Sequence, residues 1–297
     1  MKLKHITIAA ALVASAPAFA AIAPGTILGI GNGTGDSEMF LVVYDASAQV
    51  SYTLDLGVFG SSFRSLADNN EAGYTRTWTF GNFTAPAGTP ASLDPTYFAQ
   101  FQSQTTIANW QWSVQNLDSV GTAAPNGKSL TTTLTNGTDV STMTNAQLTS
   151  VQPNYDNYIG NTNSLGSHAP FNDYTVNGAN ISDKANPVTY WNGPQAPTNS
   201  PAGSANTIFT NNAFGATTGY TYITRSSTSN LSTQLVISKQ YGNSAGFGTF
   251  TLAAGATDGS YSLVYNLAPA VPEPQTYALM LAGIGCIALL ARRRRAD

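Results

Sequence analysis

The sequence predicts a mostly β fold, a β-sandwich or jelly-roll-like domain, followed by a C-terminal transmembrane helix. Three observations lead to this prediction. The central region is rich in Thr, Ser, Asn and Gly, a composition that favours strands joined by polar turns. Several short segments alternate apolar and polar residues with the period of a half-buried strand. Both ends of the chain carry apolar segments of the kind that precede export or enter a membrane.

The first 20 residues have the layout of a secretory signal peptide. Two lysines precede an apolar run at 6–13, and Ala18-Phe19-Ala20 forms an A-x-A cleavage site. This order of a basic region, an apolar region and small residues is the one that signal peptidase processes. We therefore expect residues 1–20 to be removed after Ala20.

The strand predictions begin with an apolar segment at 38–44, which has no polar face and is typical of a central strand. It is expected to pair with 50–56 through a short turn. Aromatic residues at alternate positions predict a half-buried strand over 74–80, and Trp110 and Trp112 share one face of a predicted strand over 107–114. The remaining predicted strands are 231–238, 246–252 and 261–267.

Two short helices are expected. Asp94-Pro95 has the sequence of an N-cap followed by a first-turn proline. A second helix is predicted over 144–151, and Pro153 is expected to limit it because proline removes a backbone donor.

Charge and cysteine content restrict the class of protein. Between residues 21 and 270 the chain has six basic and 13 acidic residues, a net charge of −7. This argues against binding of nucleic acid, which depends on phosphate neutralisation by basic residues. The one cysteine, Cys286, lies in the C-terminal apolar segment, so the exported domain is expected to fold without a disulfide.

The C-terminus contains three adjacent segments. A linker at 269–275 includes Pro272, Glu273 and Pro274, an apolar segment follows at 276–291, and the chain ends in the basic tail 292–297. These 16 residues, uncharged and almost all apolar, predict a short transmembrane helix, with Arg292, Arg293, Arg294 and Arg295 on the cytoplasmic side. The predicted domains are thus a signal peptide at 1–20, an exported β-rich domain at 21–268, and these three segments.

Val271-Pro272-Glu273-Pro274, the apolar span and the terminal arginines closely resemble the PEP-CTERM sorting signal of Gram-negative bacteria. The resemblance covers the last 27 residues, from Val271 to Asp297. It implies that exosortase processes the tail after transient retention in the inner membrane. It also implies release or transfer to the cell surface, and an association with exopolysaccharide and biofilm matrix.

The central domain shows no recognisable catalytic constellation in its sequence, and we expect it not to be an enzyme. Its one histidine, His168, is expected to be exposed in a loop, without the spacing of a zinc site or a nucleophile elbow. No cofactor is expected. Calcium is a weak alternative, with Asp36, Glu38, Asp68 and Glu71 as the candidate ligands, because calcium prefers clustered oxygen ligands.

Trp110 and Trp112 are candidate carbohydrate-binding residues, since two indole rings on one strand face can stack on sugars. The alternative is that they belong to the core. The sequence therefore predicts an exported structural or interaction protein of the cell surface or extracellular matrix. A secreted polysaccharide-active hydrolase and a carbohydrate-binding module remain the alternatives.

Overall fold

A computed structural model of the chain describes residues 21–25, 35–120, 128–135, 138–168, 177–192, 211–226, 233–270 and 274–293. The predicted signal peptide, with its cleavage residues Ala18 and Ala20, lies outside the described residues. So do Pro272, Glu273, Arg294 and Arg295, and the side chains of Pro274 and Arg292.

The described residues form mainly β-strands, as predicted. The strands are β1 (Glu38–Asp45), β2 (Val50–Phe59), β3 (Tyr74–Phe80), β4 (Trp110–Asp118), β5 (Ser129–Thr133), β6 (Ala179–Asp183), β7 (Asn212–Ala213), β8 (Thr217–Thr224), β9 (Ile237–Gln240), β10 (Gly242–Asn243), β11 (Gly246–Phe247), β12 (Thr249–Ala254) and β13 (Tyr261–Leu267). The helices are α1 (Gly60–Ala67), α2 (Tyr97–Gln104), α3 (Asn145–Thr162) and α4 (Pro274–Arg293), with 3-10 turns at Ile107–Asn109 and Gly166–His168.

Eleven of these strands form one antiparallel sheet in the order β3-β13-β12-β8-β5-β4-β1-β2-β6, with β7 beside β4 and β9 beside β8. The prediction of a β-sandwich or jelly roll is therefore wrong: the eleven strands form one large sheet that curls into a half-barrel, and β10 and β11 form a separate two-stranded sheet. A sheet of this width accumulates strand twist, and curling lets it enclose its own core. The alternating pattern in the sequence indicates that each strand has a buried face, but it does not indicate how many sheets the strands form.

The inner face of the curled sheet encloses α1 and α2. Phe63 of α1 is fully buried and lies 5.0 Å from Tyr265 and 5.8 Å from Phe250, measured between ring centroids. Phe98 of α2 packs against Tyr52 at 5.0 Å in an edge-to-face arrangement. The inner core is therefore largely aromatic, and it joins strands from both ends of the sheet.

The outer face of β1 and β2 is covered by α3. Tyr158 stacks on Phe40 at 6.0 Å and shares a 2.6 Å hydrogen bond with Thr53. Because helices cover both faces at this point, all eight residues of β1 are buried. This explains why the sequence of β1 is apolar without alternation.

Several predicted boundaries change. Strands 74–80 and 261–267 are confirmed at both ends, and the hairpin of 38–44 with 50–56 is confirmed as β1 and β2. Residues 107–109 form a 3-10 turn before β4, and β9 begins at Ile237, near the end of the predicted strand 231–238. The predicted strand 246–252 is divided between β11 and β12.

The two predicted helices are present, with different bounds. The carboxylate of Asp94 accepts hydrogen bonds from the backbone N–H groups of Thr96, Tyr97 and Phe98 at the start of α2. Thr144 caps α3 through a capping box with Gln147. The prediction that Pro153 limits this helix is wrong, because Pro153 lies inside α3.

Residues 276–291, predicted as a transmembrane helix, lie within α4. In the part of the chain that the structure describes, no helix combines the length and the apolar character needed to cross a membrane.

Candidate functional site

The tryptophans proposed for carbohydrate stacking lie in the core. Trp110 and Trp112 are 2% and 0% exposed, and their indole N–H groups donate to Thr105 Oγ1 and to the carbonyl oxygen of Ala213. Neither ring can meet a sugar at the surface, so their assignment as a carbohydrate-binding pair is wrong. The alternative, that they belong to the core, is correct.

The four calcium candidates fall into two separate places. Asp36 and Glu38 lie at the start of β1, whereas Asp68 pairs with Lys239 Nζ at 2.9 Å and Glu71 accepts a hydrogen bond from the hydroxyl of Ser244. Within the described ranges, no three His, Cys, Asp or Glu side chains are arranged to hold a metal ion. His168, expected at the surface, is fully buried.

A small polar cavity, which we call the acidic pocket, lies between the beginning of α1 and the sheet. Its volume is about 160 Å³, below the roughly 300–1,000 Å³ of typical small-molecule sites. Its walls combine two carboxylates with a guanidinium, an amide and hydroxyl groups, including Asp36, Ser61, Arg64, Asn116, Asp118 and Tyr222.

Local structure holds the polar groups of the acidic pocket in place. Asp36 is 6% exposed, and its carboxylate accepts hydrogen bonds from the backbone N–H and the hydroxyl of Ser61 in the first turn of α1. Arg64, one turn later, places its guanidinium carbon 4.2 Å from the ring centroid of Tyr222. The helix start and the sheet thus fix opposite walls of the pocket.

Two further acids lie near the pocket and are more deeply buried. Glu38 is 1% exposed and accepts a 2.9 Å hydrogen bond from the N–H of Ala23, and Asp55 is fully buried and accepts one from Gly57. The second carboxyl oxygen of Asp55 has no hydrogen-bond partner. A buried ionised oxygen without a partner would be costly, so Asp55 is expected to be protonated.

Burial dominates the protonation of these acids. Desolvation raises the pKa of Glu38 to about 7, with a smaller contribution from the charge of Asp36. Desolvation likewise raises the pKa of Asp118 to about 7, and it raises the pKa of Asp55 well above its ordinary value. Acids that hold protons near neutral pH can donate hydrogen bonds as well as accept them.

Sequence reasoning identified only part of this acidic cluster. The sequence indicates Asp36 and Glu38 as candidates, whereas Asp55 and Asp118 lie in β2 and β4, the strands that pair with β1 on either side. For Asp55 the sequence holds a signal, because it is an acid inside the predicted strand 50–56, whereas Asp118 lies beyond the predicted strand 107–114. An acid inside a buried strand requires a partner or a proton.

The comparisons with known proteins concern the C-terminal tail. A family model described as "PEP-CTERM protein-sorting motif" matches residues 270–295. No match was found among curated proteins or among solved structures. Proteins with this motif are exported, processed by exosortase and sorted to the cell surface. The chain therefore carries a PEP-CTERM protein-sorting motif at its C-terminus.

Proposed function

We propose that the β domain is a structural or interaction protein of the bacterial cell surface or extracellular matrix. In this proposal, signal peptidase removes the N-terminus and the tail is held transiently at the inner membrane. Exosortase then processes the tail, and the domain associates with exopolysaccharide or other biofilm matrix. The sorting motif at 270–295 is the observation that supports this proposal most directly.

A non-catalytic role is supported by what the buried acids do inside the fold. Asp36 accepts from Ser61, Glu38 from Ala23, and Asp118 from Val120. Each carboxyl group therefore satisfies a backbone donor, which is a structural use of the side chain. We expect that the domain does not turn over polysaccharide.

The second candidate is a polysaccharide-active hydrolase, favoured by the two carboxylates that line the acidic pocket. Glycosidases use such a pair, one as acid and one as base or nucleophile. The small volume of the pocket counts against this candidate, because a polymer chain needs an open cleft. The Asp118→Asn variant separates the candidates. If the wild type releases sugar from host polysaccharide and the variant does not, the hydrolase is favoured. If the wild type binds the polysaccharide without releasing sugar, the matrix protein is favoured.

The sorting proposal is tested by replacing Pro272, Glu273 and Pro274 with alanine in the native host. We expect the full-length chain to accumulate in cells and the extracellular form to disappear. Pro86→Ala, at an exposed loop position, is the control and should be secreted like the wild type. Normal secretion and processing of the triple variant would contradict the proposal.

A further inference from the structure

The chain leaves the β domain beside two loops that meet at one corner. The segment 68–73, which follows α1, contacts the β10–β11 hairpin at 242–247, and Asn243 Nδ2 donates a 2.8 Å hydrogen bond to the carbonyl oxygen of Asn70. These two segments, 68–73 and 242–247, are called the exit corner, because the chain after β13 runs along them.

The exit corner holds the residues that follow β13. The side-chain amide of Asn243 also donates to the carbonyl oxygen of Ala268 at 2.7 Å. The N–H of Ala270 donates to the carbonyl oxygen of Glu71 at 2.8 Å. Segments near a chain end are usually poorly ordered unless hydrogen bonds tie them down. Here the hydrogen bonds continue to Ala270, the first residue of the PEP-CTERM motif.

Close backbone packing adds to these hydrogen bonds. Gly73 has a φ of +76°, and a Cβ atom at this position would lie 2.6 Å from the backbone nitrogen of Pro269. A side chain would therefore push the exiting segment away. On the other side of the corner, the carboxylate of Glu71 accepts hydrogen bonds from the N–H and the hydroxyl of Ser244, which joins the two loops.

The Pro272-Glu273-Pro274 motif follows Ala270 within a few residues, so it lies close to the exit corner. Only residues 271–273 separate Ala270 from Pro274, the first residue of α4. At about 3.3–3.6 Å per extended residue, Pro274 lies at most roughly 14 Å from Ala270. An enzyme that binds Pro272, Glu273 and Pro274 therefore works within roughly 14 Å of Ala270, next to the exit corner.

The exit corner presents an exposed apolar side chain at this place. Phe247, on the β10–β11 hairpin, is 68% exposed, the highest exposed fraction of any large hydrophobic residue in the described part of the domain before α4. Leu66, 43% exposed, lies just before the other loop, and its carbonyl oxygen accepts from Asn70 Nδ2. Exposed aromatic residues of this kind are enriched in protein–protein interfaces.

We propose that the exit corner is a contact surface for the enzyme that processes the tail, with Phe247 as its central apolar contact. The inference rests on the proposed sorting function. It adds that the enzyme recognises the folded domain as well as the motif. The hydrogen bonds to Ala268 and Ala270 hold the chain beside Phe247 up to the first residue of the motif.

The test compares the rate at which the full-length chain is processed in the native host after pulse labelling. Phe247→Ser is expected to slow processing about three- to tenfold, the effect of losing one moderate interface contact. Ile107→Ser is the matched control, because Ile107 is 42% exposed but lies outside the exit corner. It should be processed at the wild-type rate.

A second pair of variants separates contact from misfolding. An insertion of about 12 Gly/Ser residues after Ala270 provides about 20 Å of flexible reach, so the enzyme can bind the motif without meeting the corner. With the insertion present, Phe247→Ser should no longer change the rate.

Two outcomes would overturn the inference. A wild-type rate for Phe247→Ser without the insertion would overturn it. Equal slowing with and without the insertion would also overturn it, since the defect would then come from folding or export. If the wild-type chain itself is never processed, the proposed sorting function fails instead.

Discussion

Trp78 Nε1 donates a 3.0 Å hydrogen bond to the carbonyl oxygen of Leu56. Trp78 lies in β3, at one end of the strand order, and Leu56 lies in β2, next to the other end. This bond, together with the stacking of Tyr52 on Phe80 at 6.2 Å, joins the two ends of the curled sheet across the inner core.

Replacing Trp78 with Phe should destabilise the domain markedly. The change removes the donor, leaves the carbonyl oxygen of Leu56 unsatisfied and creates a small cavity, which together should lower the free energy of unfolding by about 2–4 kcal/mol. Urea unfolding of both proteins measures the difference. Thr77→Ser, on the exposed opposite face of the same strand, should change stability by less than about 0.5 kcal/mol. Equal stability of Trp78→Phe and wild type would show that the bond does not hold the curl.

The pH dependence of stability should reflect the buried acids. Burial raises the pKa of Glu38 to about 7, above its ordinary value. Between the unfolded pKa of about 4.3 and the folded value, the folded state binds more protons than the unfolded state. The contribution of Glu38 to the free energy of unfolding is therefore complete below about pH 4 and is lost as the pH rises through about 7. The raised pKa values of Asp55 and Asp118 act in the same direction.

The variant Glu38→Gln tests this dependence. Gln keeps an oxygen that can accept from the N–H of Ala23 but cannot ionise. Thermal unfolding between pH 5 and pH 8 should show that the wild type loses stability as the pH rises and that Glu38→Gln loses less. Identical pH profiles would mean that Glu38 does not titrate in this range.

The glycine of the exit corner should be more sensitive to substitution than another glycine of similar conformation. Gly73 and Gly88 have φ values of +76° and +83°, but a Cβ atom at Gly88 would have no neighbour within 4 Å. Gly88→Ala should therefore cost only the conformational strain of about 1 kcal/mol, and Gly73→Ala should cost about 1–3 kcal/mol more because of the clash with Pro269. Chemical denaturation of both variants provides the comparison. Equal costs would contradict close packing of the exiting segment.

The capping box of α3 should show coupling between its two side chains. Thr144 Oγ1 accepts from the N–H of Gln147, and Gln147 Oε1 accepts from the N–H of Thr144. Thr144→Ala should lower the free energy of unfolding by about 1 kcal/mol. A double-mutant cycle with Gln147→Ala should give a favourable coupling energy. Strictly additive effects would show that the two bonds form independently.

The sequence predicts those elements whose alternation of apolar and polar residues matches the burial of their two faces. In β3 and β13 the residues on one face are more deeply buried than those on the other, so alternation predicts their bounds. All five residues of β5 are buried, and its SLTTT sequence has no alternation to detect. Helix α1 has only eight residues and is stabilised by burial of Phe63 in the inner core, a long-range effect that local pattern does not report.

Of the candidate sites, likewise, only the one formed by neighbouring residues in the sequence could be predicted. The sorting tail could be predicted because its three parts are contiguous in sequence. The acidic pocket could not, because strand pairing assembles it from residues far apart in the chain. The burial of Trp110 and Trp112 also depends on the curl of the sheet, which brings Phe98 and Tyr261 within 5.5 Å and 5.4 Å of the Trp110 ring.

The most direct test of the sorting function is the intact mass of the protein recovered from the extracellular fraction of its native host. We predict a chain that begins near Ala21 and ends close to the Pro272-Glu273-Pro274 motif, without the terminal arginines. Recovery of a chain that still ends at Asp297, and only in the membrane fraction, would contradict processing of the tail and with it the proposed route to the cell surface.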